Sequence, residues 1–420
     1  MPSAQRRYLR HLSAALALGL GALVALNLLV DPYGAYRLVR VPRLEAAKPS
    51  GGTRVAKAEM LHHSRCEVLI LGSSRAEAAI DPRHAAWGTD EVYNAALSGT
   101  HMDETAAVCR YALRLPTLRR VVLFADFCSF SENRQPFNAD FEASRFNPGR
   151  DEVEYHFANL FGGKAAEQSL KTLRIALTGE RPATRGDRGL VVRAPRRRPQ
   201  HRLAFDKTIE HYLTAPQLYT GFRYTERSLD SLRALARACR EHGVTLTVVV
   251  PPTHVLQLEA IQQAGLWPTF ERWKRDVTAA VEEIDRAVPA PPEAADIAFW
   301  DFSGYAGYVA EEVPAVGADD AAMRWHWESS HFKKELGDLV ICRLQGTPPP
   351  GGLDVRDFGV RLTGGNVERH LAALRAERQM YLATHRAEVA RVQAIARAAG
   401  LSLDEPQALI AREPADSGSR

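Results

Sequence analysis

The sequence predicts an α/β fold with a central parallel sheet, and three features carry that expectation. Apolar runs of strand length recur along the chain, stretches with helical spacing separate them, and several of the runs are nearly continuous in apolar residues. Such continuity is what strands covered on both faces show, whereas half-exposed strands alternate. Alternation of these strands with helices places helices on both sides of a parallel sheet. With 420 residues, 45% hydrophobic and 25% charged, the chain can form one large domain or two of medium size and is not a disordered protein.

The first element stands apart from that sheet. Leu12 to Val30 is an uncharged run of 19 residues, close to the length that crosses a hydrocarbon core. Arg6, Arg7 and Arg10 precede it. The pattern predicts a single-pass anchor in the cytoplasmic (inner) membrane through residues 12–30, a basic cytoplasmic tip over 1–11, and the bulk of the chain facing the periplasm or exterior. A cleaved signal peptide would have a shorter apolar core ending in small residues, and "LLVDPYGAY" offers no A-x-A site.

Beyond the anchor, strands are predicted at Glu67 to Leu71, Val92 to Leu97, Arg120 to Asp126, Val244 to Val250 and Ile297 to Phe302. A helix is predicted from Thr225 to His242, because Leu229, Leu232, Leu235, Ala236 and Cys239 share one face and Gly243 stops it. The α/β domain is expected over 31–345, with an insertion at about 131–225 that is polar and short of strand signals. Inside it, Arg185 to Arg202 carries seven arginines and a histidine. That run reads as a solvated or mobile loop, or as a patch for anionic ligands or lipid headgroups.

Residues 346–412 predict a helical extension packed on the main domain. Val367, Leu371 and Leu374 form one apolar stripe there, and Val389, Val392 and Ile395 another. A disordered tail is expected at 413–420. The formal charge of +4 is weak ground for nucleic-acid binding, and no nucleic-acid partner is expected. Five cysteines without a C-x-x-C pair or zinc-like spacing indicate no metal site and read as buried thiols, with one disulfide as the alternative outside the cytoplasm; no cofactor is expected.

In an open α/β sheet the ligand crevice lies beyond the carboxyl ends of the strands. Four strand ends here carry small or polar residues: Gly72-Ser73-Ser74-Arg75, Asn94 to Gly99, Asp126-Phe127, and Pro251-Pro252-Thr253-His254. A serine at a strand-to-helix turn becomes a nucleophile when a base takes its proton and N–H groups hold the oxyanion that follows. Glu328-Ser-Ser-His331 places a carboxylate three residues before a histidine, a spacing that brings acid and imidazole together across one turn. Taken alone, the serines suit a turn or a helix cap better than catalysis, and a phosphate-holding loop, the third reading, lacks a lysine or Walker-type spacing. Tyr93, Trp300, Trp325 and Trp327 could line a sugar-stacking wall or simply pack in the core.

The order of these pieces resembles the SGNH (GDSL-type) hydrolase superfamily, in particular its membrane-anchored bacterial envelope members related to polysaccharide O-acetyltransferases. The matching blocks are Gly72-Ser73-Ser74, Gly99 in "YNAALSG" and Glu328-Ser-Ser-His331, spread over roughly Val68 to Leu344. The resemblance implies a flavodoxin-like three-layer sandwich and an esterase or O-acyltransferase. Ser74 would be its nucleophile, His331 its base, Glu328 the acid that orients His331, and Gly99 an oxyanion donor. Asp126 stands where the family pattern has an oxyanion asparagine, so its carboxylate must be protonated, turned away or paired, with Arg75 as one partner.

Asn94, Arg75, Asp126 and His254 are the further substrate-facing candidates. The implied partner is an acylated glycan or lipid-linked substrate, together with other envelope-biosynthesis proteins. The rival expectation is a non-catalytic member of the same fold that binds envelope polysaccharide or scaffolds a membrane assembly.

Overall fold

The computed structural model describes residues 3–48, 53–134, 137–179, 184–185, 188–193, 200–289, 295–318 and 322–401. It is a mixed α/β structure with fifteen α-helices among the described residues. The strands are β1 (Val68–Leu71), β2 (Val92–Asn94), β3 (Arg120–Phe124), β4 (Thr184–Arg185), β5 (Val192–Arg193), β6 (Thr245–Val250), β7 (Ala298–Asp301) and β8 (Val360–Leu362). Six of them form one sheet in the order β2-β1-β3-β6-β7-β8, while β4 and β5 pair only with each other. All neighbours in the large sheet are parallel except β7 and β8.

All five predicted strands are present, each shorter than its apolar run. The sheet is covered on both faces, because successive side chains of a strand point to opposite sides. Leu69, Leu71, Val121 and Leu123 belong to one apolar cluster, and Val68, Ile70, Val122 and Phe124 to another. The first cluster packs under helices such as Glu226–Glu241 and Trp267–Ala287, the second under Lys334–Gln345. The predicted helix at 225–242 is Glu226–Glu241, with the Thr225 hydroxyl accepting from the Arg227 N–H and Gly243 following at φ +67°.

The helix Ser3–Val30 is long and apolar enough to span a membrane, with a mean hydropathy of 2.2 over its most apolar window. Its last turn docks on the protein, where Asn27 and Val30 are buried. The extension forms the helices Val367–Thr384 and Arg386–Ala398, held to the domain by ion pairs of Arg378 with Glu259 (2.8 Å) and Arg375 with Glu271 (2.7 Å).

Two expectations need correction, for the extension and for the arginine run. The segment 346–412 is not only helical, since it also supplies β8, an antiparallel edge strand of three residues whose exposed-exposed-buried pattern is too short to stand out. The segment 131–225, expected to be short of strand signals, has only the two-residue β4 and β5 among its described residues and is otherwise rich in helix, including Glu152–Phe161, Gly163–Thr178 and His201–Thr214. Within the arginine run, Arg202 is buried and makes a bidentate pair with Glu388 of the extension, so this end of the run is structural. Residues 186–187 and 194–199 of that run, residues 402–412 of the extension and the tail 413–420 lie outside the described residues. All five cysteines are buried free thiols.

Candidate active site

Gly72 ends β1 at φ +146°, and a Cβ there would stand 2.9 Å from both the Cβ and the carbonyl oxygen of Phe124. Only glycine lets the chain turn this close beneath β3. Ser73 then caps the short helix Ser74–Ala79, its hydroxyl accepting from the Arg75 N–H at 3.3 Å, and Ser74 becomes the first helical residue. A second turn, after β2, bends through Gly99 at φ +69°. No described group accepts from the N–H of Ser74 or of Gly99, and both residues line one cleft.

The acid–base pair comes from a tight loop ahead of Lys334–Gln345. There the Trp327 N–H donates to the His331 carbonyl at 2.9 Å and Lys333 N–H to the Trp325 carbonyl at 2.7 Å. At its tip the Glu328 carboxylate accepts from the backbone N–H groups of Ser330 (2.7 Å) and His331 (3.1 Å) and from the His331 ring Nδ1. The Ser74 hydroxyl lies 2.8 Å from His331 Nε2. With the Nδ1 proton held by Glu328, Nε2 is left as the acceptor for the serine proton. Ser74, His331 and Glu328 thus form a connected hydrogen-bond relay, the constellation that nucleophilic acyl transfer needs.

That relay opens into a cleft of about 820 Å³, lined by Ser74, Ser98, Gly99, Glu328 and His331 on one side. The 131–225 segment supplies the other wall, including Arg134, His211, Tyr212 and Leu218. No protein-family model matches this chain, and no curated protein matches it. The reading of the cleft therefore rests on its geometry.

The other sequence candidates turn away from the cleft. Arg75 is buried rather than substrate-facing: it pairs with Asp126 through Nη1 and donates from Nε to the Ser330 carbonyl at 2.9 Å. Its Nη2 reaches the Ser330 hydroxyl at 3.0 Å and the Tyr212 hydroxyl at 3.3 Å. Burial works against its charge, but the acidic hydroxyls of Tyr212 and Tyr219, the Cys128 thiol and Glu328 outweigh it and raise its pKa. Asp126 is paired, not oxyanion-facing, and also accepts from the Ser73 hydroxyl. Asn94 is buried and fully used, donating to the carbonyls of Ala76 and Ile80, each at 2.9 Å, and accepting from the Ala96 N–H.

His254 caps the helix Val255–Gln263 and contacts the Glu311 carbonyl at 2.7 Å, with burial and then His326 driving its pKa well below the ordinary 6.5. None of the four aromatic candidates lines the cleft: Tyr93 is buried and donates to the Lys57 carbonyl at 3.0 Å, and Trp300 stacks on Phe302. Tyr212 and Ser330, whose hydroxyls lie 2.8 Å apart, were not foreseen. Ser330 could have been found by its place beside His331. No local signal marks Tyr212, which is 118 residues away.

Proposed function

We propose that the chain is a membrane-anchored, extracytoplasmic SGNH-like serine esterase or O-acyltransferase acting on an acylated cell-envelope glycan or lipid-linked substrate. The single observation that carries this reading is the relay from the Ser74 hydroxyl through His331 to Glu328 at the mouth of an open cleft. The α/β frame, the strand-end positions and the Gly99 turn agree with the family pattern described for the sequence. The arginines before the apolar helix favour the extracytoplasmic orientation.

In the first half-reaction His331 Nε2 takes the Ser74 proton as the oxygen bonds to the acyl carbon. Glu328 keeps the imidazolium oriented and stabilised, and the free N–H groups of Ser74 and Gly99 receive the oxyanion. Collapse breaks the bond to the leaving alcohol, which takes the proton from His331 and leaves acyl-Ser74. In the second half-reaction His331 deprotonates water or a sugar hydroxyl as the new oxygen bonds to the acyl carbon, the bond from that carbon to the Ser74 oxygen breaks, and Ser74 regains its proton from His331.

A second reading has one observation in its favour: Asp126 occupies the position of the family's oxyanion asparagine and its carboxylate is engaged by Arg75 and Ser73. A site short of one donor suits a glycan-binding protein that performs no chemistry. Turnover of p-nitrophenyl acetate and of O-acetylated glycans by the full chain in detergent separates the two. Catalysis predicts a rate that falls at least about 10³-fold in Ser74→Ala. Glycan binding without any Ser74-dependent turnover would assign the binding role.

A further inference from the structure

The helices Glu152–Phe161 and Gly163–Thr178 form a hairpin whose outer surface carries two exposed apolar stripes. Val153, Phe157 and Phe161 recur every fourth residue, so they share one face, opposite the buried Tyr155 and Asn159. Val153 is 77% exposed and Phe157 63%, and the Phe157 and Phe161 rings stack with centroids 4.8 Å apart. On the second helix Ala166, Leu170, Leu173 and Leu177 form a stripe beside the buried Ala165, Ser169 and Thr172, with Leu170 59% and Leu177 82% exposed. Glu167, Lys171 and Arg174 run along one side of that stripe with a net positive charge, the pattern of a helix that lies in a membrane surface with its basic side chains among headgroups.

What covers these stripes follows from where the hairpin is attached. Asn27 of the apolar helix donates to the Leu160 carbonyl at 2.9 Å and accepts from the Ser169 hydroxyl at 2.9 Å, so the span meets both helices of the hairpin. Asn27 is three residues before the end of the uncharged run, about 4.5 Å along the helix axis. A run only just long enough to cross the hydrocarbon puts that depth at the edge of the bilayer. Glu152 and Glu154, the acidic residues at the start of the hairpin, are paired with Arg145 (2.5 Å) and Arg150 (4.0 Å).

We propose that the hairpin Glu152–Thr178 lies in the membrane interface, with the Val153-Phe157-Phe161 and Leu170-Leu173-Leu177 stripes among lipid acyl chains. It is a second membrane contact beside the span, and it fixes the tilt of the protein on the bilayer. The proposal depends on the span and not on the ester chemistry.

The test attaches an environment-sensitive fluorophore to single cysteines in the full chain, reconstituted in vesicles of zwitterionic and anionic phospholipid carrying nitroxide-labelled acyl chains. The five native thiols are buried and leave introduced ones selectively reactive. The positions are Phe157→Cys, Leu170→Cys and Leu177→Cys, with Leu29→Cys as the membrane reference and Glu241→Cys as the exposed reference. Quenching at 157, 170 and 177 should be severalfold greater than at 241 and approach that at 29. Quenching at 29 alone overturns the proposal, as does a shielded fluorophore that lipid nitroxides do not quench, which would mean a protein partner. Absence of quenching at 29 removes the span and the proposal with it. All five substituted side chains are exposed and lie on four different helices, and thermal unfolding of each variant identifies any that misfolds.

Discussion

Arg75 ties the turn that carries Ser74 to the loop that carries His331, its Nε donating to the Ser330 carbonyl at 2.9 Å while its Nη1 pairs with Asp126. One buried guanidinium therefore sets the relative position of nucleophile and base without touching the cleft. Arg75→Met should lower turnover more than it raises KM and, by leaving Asp126 as a buried unpaired charge, should cost about 3–5 kcal/mol of stability. Adding Asp126→Leu should restore most of that stability but not the rate. Denaturant unfolding and steady-state kinetics on the three variants check both halves.

Glu328 acts through His331, so its charge should matter more than its bulk. Glu328→Gln should reduce kcat by about 10²–10⁴-fold with little change in KM, because the imidazolium formed during attack loses its partner. Equal kcat for wild type and variant would remove Glu328 from the relay.

Gly72 is constrained by the close approach of Phe124 and by its positive φ. Gly72→Ala should destabilise the chain by about 2–4 kcal/mol, from backbone strain plus the clash beneath β3. Chemical denaturation reads this directly, and a neutral substitution would contradict the described turn.

Stability should fall in mild acid. Burial lowers the pKa values of His254, His101 and His201 from the ordinary 6.5, so below that value the unfolded chain binds protons that the folded chain does not. The unfolded state is then favoured as pH drops, by up to about 1.4 kcal/mol per pH unit for the fully buried His254. The loss begins near pH 6.5 and continues down to the folded-state values. Thermal unfolding between pH 7.5 and 5 should show the midpoint falling, and His254→Gln should flatten that slope.

The parallel strands are legible in the sequence because burial on both faces leaves continuous apolar runs, and Ser74, Gly99, Glu328 and His331 are legible because each sits in a compact local pattern at a strand end or loop. Strand β8 is not, being three residues long with two exposed. The roles of Arg75, Asp126, Asn94 and His254 are also hidden. A polar residue at a strand end can face the crevice or satisfy buried backbone groups, and only the partners brought together by folding decide which. Asn94 meets the carbonyls of Ala76 and Ile80, and Arg75 meets a loop 255 residues away. Tyr212 and the cleft wall of the 131–225 segment escape for the same reason.

The most direct test of the central claim is the site of covalent modification by a fluorophosphonate probe, read by peptide mass spectrometry on the full chain. The account predicts a single adduct on Ser74, absent in Ser74→Ala and strongly slowed in His331→Ala. Folded protein without an adduct, or an adduct on Ser73 that survives Ser74→Ala, would contradict it.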